Sequence, residues 1–129
     1  MTTRRTVLLS LALTVLAAAP GSAASALKTL DPDKDGTVDL AEAKAAASKL
    51  FDKLDGDHDG TLDARELRGR LSKADFGAAN PDNDKTIDKN EYLALVEKRF
   101  NAANPDNDGT LDAKELASPA GKALLKLLK

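Results

Sequence analysis

The stretch that decides the fold of this chain is Asp31-Pro32-Asp33-Lys34-Asp35-Gly36-Thr37-Val38-Asp39-Leu40-Ala41-Glu42. Carboxylates stand at its positions 1, 3, 5, 9 and 12, and a glycine stands at position 6. Similar twelve-residue segments begin at Asp55, Asn80 and Asn104, at intervals of 24, 25 and 24 residues. We number the four segments loops 1 to 4. Four copies at nearly constant spacing exclude a chance match.

Loops 1 and 2 match every fixed position of the EF-hand calcium-loop pattern, D-x-[DN]-x-[DN]-G-x₅-E. In that pattern residues 1, 3 and 5 point oxygens at one ion, residue 7 offers its backbone carbonyl, and the last Glu closes the sphere. The predicted metal ligands are Asp31, Asp33, Asp35, Thr37, Asp39, Glu42, Asp55, Asp57, Asp59, Thr61, Asp63, Glu66, Asn80, Asp82, Asp84, Thr86, Asp88, Glu91, Asn104, Asp106, Asp108, Thr110, Asp112 and Glu115.

Loops 3 and 4 depart from the pattern. Loop 4 begins with Asn104 instead of Asp, and loop 3 has both Asn80 at its start and Lys85 in place of the usual glycine. Glycine at position 6 permits a turn with positive φ. Lys85 must therefore adopt that conformation, at a cost of about 1 kcal/mol or more, or let the loop open. We expect loops 1 and 2 to bind most strongly, loop 4 less strongly and loop 3 least.

The short spacing leaves room for one helix between neighbouring loops. Residues Leu40–Leu54 and Lys89–Ala103 contain no Gly or Pro, and each predicts one helix of about 15 residues. Between loops 2 and 3, Gly69 weakens the helical pattern. Ser72, with Asp75 three residues later, then predicts a second helix start. The chain should break here into two short pieces and turn back.

This break determines the predicted architecture. Loops 1 and 2 stand at opposite ends of a rigid helix, so they cannot pair with each other, and the same holds for loops 3 and 4. The break places loop 2 beside loop 3 and loop 4 beside loop 1. Ser118-Pro119 predicts the start of a last helix with an apolar face. We therefore predict an all-α fold, a compact three-helix bundle in which loops 2/3 and 1/4 are paired.

The N-terminal residues have the features of an export signal. Arg4 and Arg5 precede an apolar run from Val7 to Ala19, and small residues follow as far as Ala26. About 13 apolar residues are too few to span a bilayer, and this order is typical of a cleaved secretory signal. We predict a signal peptide over residues 1–24, a mature domain over residues 25–129, and a periplasmic location. The chain has no cysteine, so its core or bound metal must hold the fold together.

The anionic charge of the chain is concentrated in the loops. Without Arg4 and Arg5 the chain has 17 basic and 21 acidic residues, and 18 of the acidic residues lie in the four loops. Only Asp52, Asp75 and Glu97 lie elsewhere. Because each metal-free loop repels itself, we expect folding to be strongly coupled to metal binding.

The ligand set favours hard cations of high charge. Coulomb attraction scales with the charge of the ion, so five carboxylates per loop favour a trivalent ion over a divalent one. Mg²⁺ is disfavoured because it requires a rigid octahedral site and retains its water. Transition metals are disfavoured because the chain offers a single His and no Cys. The charge of the loops therefore permits trivalent ions but does not by itself select them over Ca²⁺.

Several features together resemble the lanmodulin family, the periplasmic lanthanide-binding proteins of methylotrophic bacteria. They are the short loop spacing, the signal peptide, proline at position 2 in loops 1, 3 and 4, and the tail Glu115-Leu116-Ala117-Ser118-Pro119-Ala120-Gly121. The resemblance covers about residues 27–128. It implies selective binding of lanthanide(III) ions such as La, Ce and Nd over Ca²⁺, folding on metal, and a role in lanthanide uptake, buffering or trafficking.

Two departures from the family pattern reduce the expected number of tight sites. Gly56 replaces the proline in loop 2, and loop 3 combines Asn80 with Lys85. The resemblance implies three tight sites, whereas these departures suggest two. A periplasmic calcium-binding protein remains the alternative.

The sequence indicates a binding protein rather than an enzyme. Every clustered acid is assigned to a loop, and no nucleophile, acid/base pair or cofactor loop remains. We expect metal ions as partners, no nucleic acid, and no membrane after signal cleavage. A metal-dependent protein partner or a homodimer is compatible with this assignment. Lys122, Lys126 and Lys129 predict a solvated face, with contact to an anionic surface as the alternative.

Overall fold

A computed structural model describes residues 20–129 of the chain. Most of the predicted signal peptide, residues 1–19, lies outside the described part. The described elements are α1 Pro20–Leu30, β1 Val38–Asp39, α2 Leu40–Leu54, β2 Thr61–Asp63, α3 Lys73–Ala79, β3 Thr86–Asp88, α4 Lys89–Ala103, β4 Thr110–Leu111, α5 Ala113–Ala117 and α6 Pro119–Leu125. The predicted mostly helical fold is confirmed.

The two long helices have the predicted bounds. Helix α2 begins after Asp39, whose side chain accepts a hydrogen bond from Glu42 N, while the Glu42 side chain accepts one from Asp39 N. Helix α4 begins in the same way with Asp88 and Glu91. These reciprocal capping boxes satisfy backbone donors that the first helical turn leaves free. The last residues of a loop therefore start the next helix.

The predicted break between loops 2 and 3 is present. The hydroxyl of Ser72 accepts a hydrogen bond from Asp75 N at 3.0 Å and caps α3, which confirms the predicted helix start. The piece before it differs from the prediction, because residues 64–70 form turns instead of a short helix. Gly69 has a φ of +82°, which a right-handed helix cannot accommodate. The chain reverses direction through these turns.

Short antiparallel strands join the loops in two pairs. Strand β1 pairs with β4, placing Val38 opposite Leu111, and β2 pairs with β3, placing Leu62 opposite Ile87. All four side chains are fully buried. They occupy position 8 of their loops, so each pair of loops is joined by one buried contact between two apolar side chains. Loop 1 thus lies beside loop 4, and loop 2 beside loop 3.

Helix α4 lies at the centre of the packing, in contact with α2 and α6, while α5 contacts α1 and α6. Tyr92 on α4 is fully buried. Its ring meets Phe51 of α2 edge-on, with 5.6 Å between ring centroids, and its hydroxyl donates to the Leu127 carbonyl at 2.7 Å. Tyr92 therefore links α2, α4 and the chain after α6.

The described chain has six helices where the sequence predicted a bundle of three. The residues before loop 1 form α1, Ser72 starts the separate α3, and Ser118 divides the C-terminal segment into α5 and α6. Ser118 ends α5 and caps α6, since its hydroxyl accepts a hydrogen bond from Gly121 N at 3.0 Å. Pro119 occupies the first turn of α6, where its missing N–H costs nothing.

Gly121 allows α6 to approach α5 closely. A Cβ at this position would lie 2.6 Å from Leu116 Cα and would also collide with the Glu115 carbonyl oxygen. No other residue type has room there without a shift of the backbone. The sharp turn at Ser118 therefore depends on this glycine.

Helix α1 crosses the predicted boundary of the signal peptide. Ala23, Ala26 and Leu30 are buried on its inner side. Cleavage after residue 24 stays a prediction, and it would retain Ala26 and Leu30 in the core. Over residues 20–129, no helix is long and apolar enough to cross a membrane.

Candidate metal centre

Each loop is shaped by two residues with positive φ. At position 6 these are Gly36, Gly60 and Gly109, with φ between +83° and +86°, and Lys85 with φ +70°. Lys85 therefore adopts the strained conformation instead of opening loop 3. At position 4 they are Lys34, His58, Asn83 and Asn107, with φ between +55° and +59°. Sequence reasoning missed the position-4 residues, although Asn tolerates this region better than most residues.

The first residue of each loop is buried at the end of the preceding segment. In loop 1, Asp31 Oδ1 accepts from Asp35 N at 3.1 Å and Asp31 Oδ2 accepts from Gly36 N at 2.8 Å. Asp55 makes the same two contacts in loop 2. These bonds wrap the loop backbone around the carboxylate of position 1. The residue at position 1 is only 8 % exposed in loop 1 and 6 % exposed in loop 2.

The threonines at position 7 organise the aspartates at position 5. In loop 1, the N–H and the hydroxyl of Thr37 both donate to Asp35 Oδ1 at 2.9 Å. The other three loops repeat this pair of contacts. The hydrogen bonds to Thr61 hold the pKa of Asp59 below its usual value. The threonines therefore hold the position-5 carboxylates in place.

Three of the loops bring three carboxylates together. Their ligand oxygens lie within 4.8 Å of one another in the groups Asp31, Asp33 and Glu42, then Asp55, Asp57 and Glu66, then Asp106, Asp108 and Glu115. Over residues 20–129, loop 3 supplies no such group. This spacing suits a single cation that binds all three side chains. Three of the six predicted ligands thus converge in each of loops 1, 2 and 4, whereas no three carboxylates of loop 3 do so.

The carboxylates in the clusters of loops 1 and 2 repel one another, and the pKa values of several of them are raised. The pKa of Asp33 is raised by its hydrogen bond to Asp31, because the two carboxylates can approach only by sharing a proton. Asp57 and Asp55 show the same relation in loop 2, with the pKa of Asp57 raised. Burial raises the pKa of Glu42, and nearby aspartates add to the shift. A cation bound between the carboxylates would remove their mutual repulsion.

In loops 3 and 4, the asparagine at position 1 reduces the repulsion among the carboxylates by donating hydrogen bonds to them. With its amide oriented to satisfy both ends, Asn80 donates to Asp82 Oδ1 at 2.7 Å and to Asp84 Oδ1 at 3.0 Å. Asn104 donates likewise to Asp106 Oδ1 at 2.6 Å. An amide N–H therefore offsets negative charge at the point where loops 1 and 2 need a proton or a cation. These two loops have less to gain from a metal ion.

The aspartates at position 9 have a role that the ligand pattern alone did not indicate. In every loop this carboxylate accepts a hydrogen bond from the backbone N–H of the closing glutamate, at 2.7 to 2.9 Å. The glutamate accepts one in return from the position-9 N–H. The sequence signal was available, because Asp-x-x-Glu is a capping-box pattern. Metal ligation by Asp39, Asp63, Asp88 and Asp112 stays a prediction.

Comparison with known proteins gives a family match for the segment around loop 2. Residues 48–77 match the family described as EF hand. The matched segment contains the second part of α2, the whole of loop 2 and most of α3. A search of curated proteins finds no match. The EF-hand match and the carboxylate clusters indicate metal binding of the EF-hand type, for which Ca²⁺ is the usual ion.

Proposed function

We propose that this protein binds trivalent lanthanide ions selectively in the periplasm, folds as it binds them, and serves their uptake, buffering or trafficking. The observation that carries the proposal is the charge of loops 1 and 2. Each loop gathers three carboxylates within 4.8 Å and holds a fourth beside them at position 5. Because attraction grows in proportion to the charge of the ion, such a centre gains more from a trivalent cation than from a divalent one.

The resemblance of the sequence to lanmodulins supports the same proposal. Proline at position 2 of three loops, the short spacing and the tail from Glu115 to Gly121 are specific in combination. The protein would then act as a carrier or buffer and not as an enzyme. In the metal-loaded protein we expect the bundle of α2, α4 and the C-terminal helix to keep loops 2/3 and 1/4 paired.

Metal-coupled folding follows from the charge and size of the domain. Loops 1 and 2 hold closely spaced carboxylates that repel one another at neutral pH unless a cation lies between them. The chain has no disulfide to offset this repulsion. A ligand that binds only the folded state stabilises it in proportion to the logarithm of its concentration over Kd. Folding should therefore follow the concentration of free metal.

A periplasmic calcium-binding protein is the second candidate. The match of residues 48–77 to the EF-hand family favours it, since loop 2 carries each fixed residue of an ordinary calcium loop. The two candidates share the same ligands and differ only in the ion that drives folding.

A circular-dichroism titration with La³⁺ and with Ca²⁺, in metal-buffered solution, separates the two candidates. We expect La³⁺ to induce the helical spectrum at free concentrations at least about 100-fold below those of Ca²⁺, equivalent to about 2.7 kcal/mol. If micromolar Ca²⁺ folds the chain as well as La³⁺ does, the lanthanide assignment fails and the calcium assignment stands.

A pair of variants tests whether the clusters cause this response. D33N/D57N removes one carboxylate from the cluster of loop 1 and one from that of loop 2, and it should shift the La³⁺ midpoint upward. The control is D52N, because Asp52 is an exposed carboxylate outside the loops. It removes charge without touching a proposed ligand, so its midpoint should remain that of the unmodified protein.

A further inference from the structure

We propose that a basic cleft beside the C-terminal helix binds phosphate-class oxyanions. The cleft has a volume of about 410 Å³ and is lined by Arg68, Gly69, Arg70, Lys122, Leu125, Lys126 and Lys129. Five of these seven residues are cationic, and none carries a carboxylate side chain. The turns after loop 2 supply one wall, and α6 with the residues after it supplies the other.

The molecule offers this cleft no internal counter-charge from its acidic side chains. Only three of the acidic residues lie outside the loops. Each is paired with a cation that does not line the cleft, in the pairs Lys44–Glu97 at 2.8 Å, Lys89–Asp52 at 2.7 Å and Arg99–Asp75 at 3.3 Å. The loop carboxylates are held within their own clusters and helix caps. No acidic side chain therefore lines the cleft, and its exposed cations are available to an anion from outside the molecule.

Arg70 builds the cleft by joining its two walls. Its Nη1 donates to the carbonyl oxygen of Lys126 at 3.0 Å and to the main-chain oxygen of Lys129 at 2.6 Å. It thereby satisfies acceptors that the end of α6 leaves free, and it meets the negative charge at that end. The remaining cations, Arg68, Lys122, Lys126 and Lys129, are exposed to solvent.

The arrangement of these cations suits an oxyanion with more than one charge. Lys122 and Lys126 are four residues apart on one helical turn, where like charges repel each other. A phosphate group would relieve that repulsion and accept hydrogen bonds from lysine and arginine together. Such a group can come from a soluble phosphate-type anion or from the headgroup of an anionic lipid. Both sources present the same chemistry to the cleft.

The cleft requires the folded chain, but not a particular metal. It joins residues 68–70 to residues 122–129, which meet only in the tertiary structure. The identity of the ion in the loops therefore does not enter the inference. A failure of the lanthanide assignment would leave this proposal untouched.

An NMR titration of the folded, metal-loaded protein with sodium sulfate tests the proposal. Sulfate imitates the tetrahedral phosphate dianion, and sodium chloride at equal ionic strength serves as the reference. We expect saturable shifts of the backbone amides of residues 68–70 and 122–129. K122Q/K126Q should weaken the binding by about tenfold or more, since two of the four exposed charges are removed. The matched control K28Q/K98Q removes two exposed lysines outside the cleft and should bind sulfate normally.

Cosedimentation with phosphatidylglycerol vesicles, compared with phosphatidylcholine vesicles, distinguishes the two sources. Saturable sulfate binding that K122Q/K126Q loses supports the cleft as a site for soluble anions. Binding to phosphatidylglycerol vesicles that the same variant loses, without saturable sulfate binding, assigns the cleft to lipid headgroups. The proposal is overturned if neither ligand binds, or if K122Q/K126Q behaves like K28Q/K98Q. Thermal unfolding of both variants checks that a loss of binding is not a loss of fold.

Discussion

The two ends of the molecule are built alike and differ in one loop. At each end a loop that begins with Asp is paired with a loop that begins with Asn, loop 1 with loop 4 and loop 2 with loop 3. Loop 4 nevertheless brings three carboxylates within 4.8 Å, whereas loop 3 does not. Loop 4 keeps Gly109 at position 6, where loop 3 has Lys85. Asparagine at position 1 alone therefore does not disperse a cluster.

Local hydrogen bonding accounts for part of this difference. Asn80 donates to Asp82, to Asp84 and also to the carbonyl of Thr86 at 3.1 Å. Asn104 makes the two carboxylate contacts without the third. In loop 3 the amide thus occupies the carbonyl that position 7 would offer to a metal ion. The Asn80 side chain thus donates to more of the acceptors of loop 3 than Asn104 does in loop 4.

The largest effect is expected at the loop 1/4 end, from Gly121→Ala. The added methyl would collide with the backbone of Glu115 and Leu116, and overpacking of this kind should cost about 3 kcal/mol. Urea denaturation of the metal-loaded protein measures the loss. Loop 4 should weaken with it, because Glu115 lies at the collision. The control is Gly77→Ala, where a Cβ meets open space and alanine should stabilise α3 by about 0.5–1 kcal/mol. Equal effects of the two substitutions would contradict this view of the turn.

The next largest effect is expected when the closing glutamate is replaced by glutamine in loop 1, in comparison with the same replacement in loop 3. Glu42→Gln keeps an oxygen for the Asp39 N–H, so the helix cap survives while the cluster loses a charge. We expect the affinity of loop 1 to fall about 30-fold, or by about 2 kcal/mol. Glu91→Gln should change the metal affinity little, since Glu91 belongs to no cluster. Competition against a chelator of known affinity measures both, and similar losses would remove the distinction between the loops.

Asn80→Asp with Lys85→Gly gives loop 3 the residues that loops 1 and 2 have at positions 1 and 6. The first change restores the carboxylate of position 1, and the second removes the strain of a lysine at φ +70°. Loop 3 should bind about tenfold more tightly, equivalent to about 1.4 kcal/mol, and one tight site should be gained. Isothermal titration gives the stoichiometry. Asn101→Asp with Lys98→Gln, on the exposed surface of α4, is the charge-matched control. An unchanged number of tight sites would refute the low rank of loop 3.

The smallest effect concerns Tyr92, which follows loop 3 and packs on Phe51 before loop 2. Burial raises the pKa of Tyr92 to about 12. Because the folded pKa lies above the unfolded value near 10, the contribution to stability is complete below pH ~10 and is lost as the pH rises toward 12. Tyr92 is the only tyrosine, so its ultraviolet absorbance reports this titration directly. Ionisation near pH 10 in the metal-loaded protein would contradict the buried position.

The companion variant is Tyr92→Phe. It removes the hydrogen bond to the Leu127 carbonyl and should cost about 1 kcal/mol. Denaturation of the metal-loaded protein measures this loss, and the metal affinity of loops 1 and 4 should be unaffected.

Much of the fold could be predicted because its signals are local. The bounds of α2 and α4 follow from a lack of Gly and Pro and from the loop on each side, and Ser72 with Asp75 marks the start of α3. Helix α1 was not predicted, because residues 20–24 have the small side chains of a signal-peptide cleavage region. The start of α6 at Ser118-Pro119 was predicted as well, whereas the close approach of Gly121 to α5 is a tertiary contact that spacing does not reveal.

The residues of the candidate site could be predicted from the sequence, but not which of their carboxylates come together in the structure. The loop pattern supplied each carboxylate that the structure gathers in loops 1, 2 and 4. It could not show that loop 3 fails to gather its own, since this depends on side-chain positions in the folded loop that the residue pattern does not specify. The cap role of Asp39 was missed because one residue type serves both as ligand and as helix cap.

Helix α2 connects loop 1 directly to loop 2, with one loop at each of its ends. Glu42, which closes loop 1, lies in the first turn of this helix, and Asp55, which opens loop 2, follows its last residue. Fifteen residues of helix separate the two loops by about 22 Å, which exceeds the Debye length of about 8 Å at physiological salt. Two bound ions would therefore scarcely repel each other. Binding of the first ion would nevertheless order α2, and an ordered α2 helps to form the loop that binds the second ion. A chain of this design can fill its loops cooperatively without any direct contact between them.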